Sequence, residues 1–324
     1  MFLRLAFLSL ILISAPAFAQ PDGNYSELRP DTTAVKVQKV IDPLTFLGTN
    51  GTIYKLSGLD VPGLDTGGSD IVEQATRKTT ELIAEQDLKV YITKDQTKGR
   101  QNRMGQTLIH AERKKDNLWI QGQLVADGLA RVRTTPSNPE MSKQLLALEE
   151  TARAGKKGLW ADPQYGVYGV DLISSKANSF VIVEGRVFSV ANRNNETFLN
   201  FGPDWKKDFT IGISPEMRRQ ISKQGLNFAA LVKRTVRVRG FIEDRNGPFI
   251  TLDHPEQLEI IGGTIPTLKS AQTGGTTGGM RSFKTPEKPV TPEINKPEPP
   301  TADGKKASPP RNLLDEGMKA LFNE

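Results

Sequence analysis

Short runs of alternating apolar and polar residues punctuate this chain, and that rhythm limits its possible folds more than any other feature. Ala34-Val-Lys-Val-Gln-Lys-Val-Ile41 alternates along its length, Thr45-Phe-Leu47 and Thr52-Ile-Tyr-Lys-Leu56 flank a Thr49-Asn-Gly51 turn, and Leu88 to Thr93 repeats the pattern. Successive side chains of a strand point to opposite faces, so each run buries one face and solvates the other. A helix is predicted over 71–86, with Ala75, Thr79, Leu82 and Ile83 inward and Ser69 and Asp70 as cap candidates. Further helices are predicted over 119–127, stopped by Gly128, and over 140–154, stopped by Gly155. Strands first, with helices interleaved and then terminal, indicate an α+β domain built on a small barrel over about residues 33–160.

A second segment of the same kind occupies roughly 178–262. Residues 180–190, 196–202, 208–213, 235–242 and 248–252 read as five strands, and 258–261 closes the set. Between them, 215–223 is a predicted helix with Ser214 as cap and Pro215 in its first position. Asp244-Arg-Asn-Gly247 is a hairpin turn. The order resembles a second small OB-like barrel.

The two ends differ from these cores. Arg4 precedes an apolar run from Leu5 to Ile13, and Ala17-Phe18-Ala19 places small residues where a signal peptidase reads, so residues 1–19 are expected to be a cleaved signal peptide. That run is too short for a transmembrane anchor. The product is expected in the periplasm or outside the cell. Residues 263–311 hold nine prolines and two Gly-Gly pairs, a composition that cannot offset its ordering entropy, and are expected to form a disordered or polyproline spacer. Residues 312–324 follow as a short amphipathic helix, with Leu314, Met318, Leu321 and Phe322 at helical spacing. This helix is either a frayed terminus or a tethered dock for a protein partner.

Composition removes several chemistries. The chain has no Cys, so disulfides, thiolate metal sites and a thiol nucleophile are excluded. Its two histidines, His110 in an apolar strand and His254 in a turn before Pro255, are isolated and read as structural residues. Carboxylate–metal chemistry is the main possibility left.

In the first core five motifs follow one another: Val40-Ile-Asp-Pro-Leu-Thr-Phe46, Tyr54-Lys-Leu-Ser-Gly-Leu-Asp-Val-Pro62, Asn102-Arg-Met-Gly-Gln106, Gln123-Leu-Val-Ala-Asp-Gly-Leu-Ala-Arg-Val132 and Gly155-Lys-Lys-Gly-Leu-Trp160. In content and order they resemble the staphylococcal nuclease (thermonuclease) family across nearly all of 33–160. The resemblance implies a five-stranded OB-type barrel with three helices, and calcium-dependent cleavage of DNA and RNA phosphodiesters.

The chemistry transfers less completely than the fold. Leu44 stands where the resemblance implies a calcium-ligating Asp, Gly63 where it implies the general-base Glu, and Lys55 and Gln106 where it implies two phosphate-stabilising arginines. The second Asp is kept as Asp60, leaving Asp60, Asp42 and Thr45 as oxygen donors should calcium bind, with Asp65 nearby. Asp60 before Val61-Pro62 equally suits a turn. A hard cation takes six or more oxygens, so an isobutyl group in place of a carboxylate removes a ligand and a charge. A lost oxyanion donor costs on the order of a hundred- to a thousand-fold in rate, and a lost base about a hundred- to ten-thousand-fold. The expectation is a degenerate nuclease. The alternative is an active enzyme with rearranged ligands in which Arg100 or Arg103 replaces the missing arginine.

The net charge of +6 is unremarkable, but it conceals two basic stretches. Residues 89–115 hold eight Lys and Arg against two acids, and 218–239 hold seven against none. Lys98, Arg100 and Arg103 in the first, Arg234, Arg237 and Arg239 in the second, and Lys206 and Lys207 beside Trp205 are candidate polyanion contacts. Trp205, with Phe198, Phe201 and Phe209 nearby, is a candidate base-stacking platform. Three functions follow: a non-catalytic binder of nucleic acid or another polyanion, a calcium-dependent nuclease, or a protein-binding scaffold at the cell envelope.

Overall fold

The computed structural model describes residues 21–31 and 34–262. The expected signal peptide at 1–19, the spacer at 263–311 and the terminal helix at 312–324 lie outside the described residues. The first half runs β1 (Leu28–Pro30), β2 (Val35–Asp42), β3 (Thr45–Gly48), β4 (Ile53–Leu56), β5 (Leu59–Asp60), α1 (Asp70–Ile83), β6 (Asp87–Thr93), β7 (Thr107–Arg113), β8 (Leu118–Trp119), α2 (Ile120–Ala126), β9 (Arg131–Val132) and α3 (Ser142–Ala154). Strand β2 pairs with β6 and β3, β3 with β4, β4 in parallel with β7, and β7 with β6, which returns to the start. These five strands form a near-closed ring, and ring closure removes the unpaired edges that an open sheet exposes. The predicted alternation supplies its interior: Val35, Val37, Phe46, Leu56, Leu88, Val90 and Ile109 are all buried.

Helix α1 starts where Ser69 accepts a hydrogen bond from the Val72 N–H, and buries Ile71, Ala75, Thr79, Leu82 and Ile83. It stops three residues short of the predicted end because the chain turns through Glu85 at φ 58°. One segment was not foreseen. Tyr25 stacks on Tyr91 at 3.8 Å and β1 pairs with β6, so the core begins before residue 33. A three-residue strand is too short to carry a readable period.

The second half comprises β10 (Val167–Gly169), β11 (Phe180–Arg186), β12 (Ser189–Arg193), β13 (Glu196–Asn200), β14 (Thr210–Ile213), α4 (Pro215–Lys223), β15 (Thr235–Phe241), β16 (Glu243–Asp244), β17 (Pro248–Leu252) and β18 (Leu258–Ile261). They make a four-stranded sheet, β10-β11-β15-β18, and a five-stranded sheet, β12-β13-β14-β17-β16. The run 180–190, read as one strand, divides at Val187-Phe188 and serves both sheets. Val181, Val183, Leu199, Ile211, Ile213, Val236, Val238, Ile250 and Leu252 form the core between them.

The outer face of β15 is covered by the first half of the chain. Arg239 is 1% exposed, donates to Glu149 on α3 (2.8 and 3.2 Å), to Glu259 (2.9 Å) and to the Val132 carbonyl (3.0 Å). Arg237 bonds Glu150 (2.7 Å) and Glu184 (2.8 and 3.0 Å). Burial alone would lower both guanidinium pKa values, but the facing glutamates outweigh it and raise them. Thr134 Oγ1 and His254 Nε2, 2.8 Å apart, add a further bond between the halves.

Candidate functional site

The cleft at the mouth of the ring has a cavity of about 270 Å³. Leu44, Lys55, Asp60, Asp65 and Arg133 are among its lining residues, while Arg100, Arg103 and Gln106 are not. The β3–β4 register sets Thr45 opposite Lys55, and β5 pairs with β9 so that Asp60 faces Arg131.

That last pairing sets the electrostatics of the cleft. Arg131 Nε donates to Asp60 Oδ2 at 2.6 Å and Arg133 Nη1 to Oδ1 at 3.3 Å, so both carboxylate oxygens are occupied by guanidinium. The pair is shielded, with the Arg131 and Asp60 side chains only 11% and 13% exposed. The second half of the chain braces both arginines. Phe180 lies under Arg131 at 4.7 Å and takes part in packing Arg133, which also sits 4.8 Å from the Phe241 ring centre. Arg131 Nη1 additionally donates to the Phe180 carbonyl at 3.2 Å.

The other expected donors do not converge on Asp60. Asp42 Oδ1 accepts from the Leu44 N–H at 2.8 Å, which makes it the capping residue of its own turn. Thr45 is 1% exposed and its hydroxyl has no partner, while Asp65 is exposed on the cleft rim. Leu44 is buried at 2%. Gly63 holds φ +91°, and a Cβ there would lie 2.7 Å from Ser69 Oγ, so any side chain meets both backbone strain and a collision. A hard divalent cation needs six or more oxygens. Asp60 neutralised by two arginines, Asp65 exposed on the rim and Leu44 between the strands do not fit that requirement. Among the described residues no group of three or more His, Asp or Glu could hold a metal ion.

Of the candidate rescue arginines, Arg100 donates its Nε to the Asp95 carbonyl at 2.9 Å and Arg103 is exposed on its loop. Gln106 is tied back by Asn102 at 2.7 Å.

The polyanion candidates divide by burial. Lys98, Arg103, Lys206, Lys207 and Arg234 are exposed and Arg100 half-buried. Arg237 and Arg239 are a correction to the expected surface patch, because the glutamates of α3 and of the strands flanking β15 consume their charge. The aromatic platform divides likewise. Phe209 is core and Phe201 packs against the core, whereas Trp205 is exposed and Phe198 points outward beside it. Sequence reasoning missed three members of this second site: Phe249, Arg193 and Arg245. Phe249 sits among Ile250 and Leu252 and reads as core by its residue type, and the signal that could have found it is the period that sets it on the face of Thr251.

His110 is buried with neither ring nitrogen partnered, and burial pushes its pKa down to about 3, so it is a neutral strand residue.

A near-closed five-stranded ring flanked by three helices, with its cleft lined by β4, β5, β7 and the loops beside them, is the architecture of staphylococcal-nuclease-like domains. Residues 55–162 match the family model described as staphylococcal nuclease homologue, so the chain carries a domain of that family, with further β sheets following it. No curated protein matches the chain at a significant level. Among the described residues no helix is long and apolar enough to cross a membrane.

Proposed function

We propose that this protein binds nucleic acid, or a polyanion of similar charge density, without calcium-dependent hydrolysis, and that it does so after export. One observation carries the reading: Asp60, the carboxylate kept at the family's metal position, is ion-paired on both oxygens with Arg131 and Arg133. A cation entering there would have to break that pair in a shielded site, and among the described residues no group of three or more His, Asp or Glu could hold it. Lys55 lines the same cleft outside that pair and attracts anions to it. Lys98 and Arg103 on the first half, and Lys206, Lys207 and Arg234 on the second, are further exposed cations. The family itself points to nucleic acid as the polyanion.

The test combines turnover and binding. Purified protein is incubated with fluorescent single-stranded and duplex DNA in calcium or in chelator, and binding is followed across a salt series. The expected result is no chelator-sensitive cleavage, with affinity falling steeply as salt rises because displaced counterions scale with the phosphates contacted. Chelator-sensitive cleavage abolished by Asp60→Ala would overturn the non-catalytic reading. Absence of binding to both DNA and heparin at low salt would overturn the polyanion reading and leave the protein scaffold. Export is tested by N-terminal sequencing of the mature chain, expected to start just after Ala19.

A further inference from the structure

The five-stranded sheet of the second half has an unusual outer face. Its inner face carries Leu199, Ile211, Ile213, Ile250 and Leu252 into the core, so the period-two rule sends the intervening residues outward. On an ordinary sheet those positions are polar and solvated. Here the cross-strand row Asn200, Thr210, Phe249 and the neighbouring Phe198 form the floor of a cavity of about 200 Å³. Trp205 overhangs it and is 48% exposed, a large aromatic surface left to solvent.

The backbone is shaped to keep that floor flat. Phe198 pairs with Gly212, and a Cβ on Gly212 would lie 2.3 Å from the Phe249 ring. Glycine at this place lets the ring lie against the sheet, where it is buried yet outside the main core. Cations surround the rings. Arg193 and Lys206 lie 5.6 and 5.7 Å from the Trp205 ring centre, and Arg245 lies 4.9 Å from that of Phe249. The Arg245–Glu196 ion pair is long, 3.8 Å, and exposed, so it holds Arg245 weakly. One solvent-facing aromatic and one in the floor, each with a cation 4.9–5.7 Å from its ring centre and with amide and hydroxyl groups between them, suit a planar ligand that carries negative charge alongside.

We propose that this cavity takes one unpaired nucleobase of a single strand, stacked on Trp205 over Phe249, with the adjoining phosphates on Arg193, Arg245 and Lys206. Bases in a duplex have both faces occupied by their neighbours, so only an unstacked base can enter. The inference rests on the nucleic-acid reading above and adds that the second half selects single strands by their bases.

The experiment uses the full chain and four fluorescent probes: a 12-nucleotide oligo-dT, an abasic strand of the same length, a 12-base-pair duplex, and heparin. The wild type is expected to bind oligo-dT roughly ten- to a hundred-fold more tightly than the abasic strand, the size of one or two stacking contacts. Trp205→Ala removes that preference while leaving the abasic strand and heparin within about two-fold. Oligo-dT, and not the abasic strand, quenches tryptophan fluorescence, since Trp119 and Trp160 are buried and Trp205 is the exposed one of the three. Arg245→Gln lowers affinity for both strands and reduces the salt dependence. Equal affinity for oligo-dT and the abasic strand, or full oligo-dT binding by Trp205→Ala, overturns the base slot while the polyanion reading stands. Failure of all four probes to bind overturns both. Base-selective binding accompanied by calcium-dependent cleavage keeps the slot and removes only the non-catalytic reading.

Discussion

Replacing Arg239 by methionine removes the guanidinium at the centre of the contact between the two halves. Arg239 makes two bonds to Glu149, one to Glu259 and one to the Val132 carbonyl, and it is itself fully enclosed. After the change Glu149, with no exposed side-chain surface, keeps the Val132 N–H at 2.7 Å and an Arg153 nitrogen at the longer distance of 3.7 Å. Methionine roughly fills the volume of the arginine stem, so the loss is electrostatic. Removing one partner of a buried pair costs about 3–5 kcal/mol because the other charge is left uncompensated. For a folded body of this size that corresponds to a fall in Tm of roughly 10 °C. Urea and thermal unfolding, followed by the fluorescence of buried Trp119 and Trp160, report it. The double variant Arg239→Met with Glu149→Gln should recover part of the loss, with a coupling of about 1–3 kcal/mol in the double-mutant cycle. A cost below about 1 kcal/mol for Arg239→Met, or strict additivity with Glu149→Gln, would refute the claim that this pair fastens the second half to α3.

Three further outcomes are expected. The His110 side chain stays neutral when buried but takes up a proton in the unfolded chain, so stability falls as pH drops below about 6.5 and goes on falling towards 3; between pH 7.5 and 4.5 the loss is roughly 3 kcal/mol, and His110→Leu should flatten that part of the urea-midpoint profile. Gly63→Glu restores the carboxylate implied at that position, yet it should lower stability by about 1–3 kcal/mol through its left-handed backbone and the Ser69 contact. It should also leave calcium-dependent cleavage undetectable in a fluorogenic nuclease assay. Gly212→Ala pushes the Phe249 ring off the sheet, costing about 1–3 kcal/mol; oligo-dT binding should weaken while heparin binding does not.

Much of the first half was readable because its information is local. Alternation, caps and turns lie within a few residues of one another, and they placed β2, β3, β4, β6 and the three helices to within a few positions. The expectation that Leu44, Lys55, Gly63 and Gln106 stand where the resemblance implies other residues is equally local, since it needs only a motif and its order. The state of Asp60 was not. Its partners are 71 and 73 residues away, one on and one just after a two-residue strand whose period is too short to assign. At the second site Trp205 was visible as an aromatic in a polar turn. Phe201 and Phe209, read beside it, belong to the core, and Phe249, which looks like core, belongs to the outer face.

Thr235-Val-Arg-Val-Arg-Gly-Phe241 shows where the boundary falls. Its alternation alone determined a strand with Val236 and Val238 on one face and Arg237 and Arg239 on the other, because side-chain direction follows from backbone geometry. By the same rule a charged face next to an apolar one reads as a surface, and the arginines read as a polyanion site. Only the tertiary structure set α3 against that face, with Glu149 and Glu150 opposite the two arginines. Which face of a strand meets water depends on what packs there from elsewhere in the chain, and no local period encodes it.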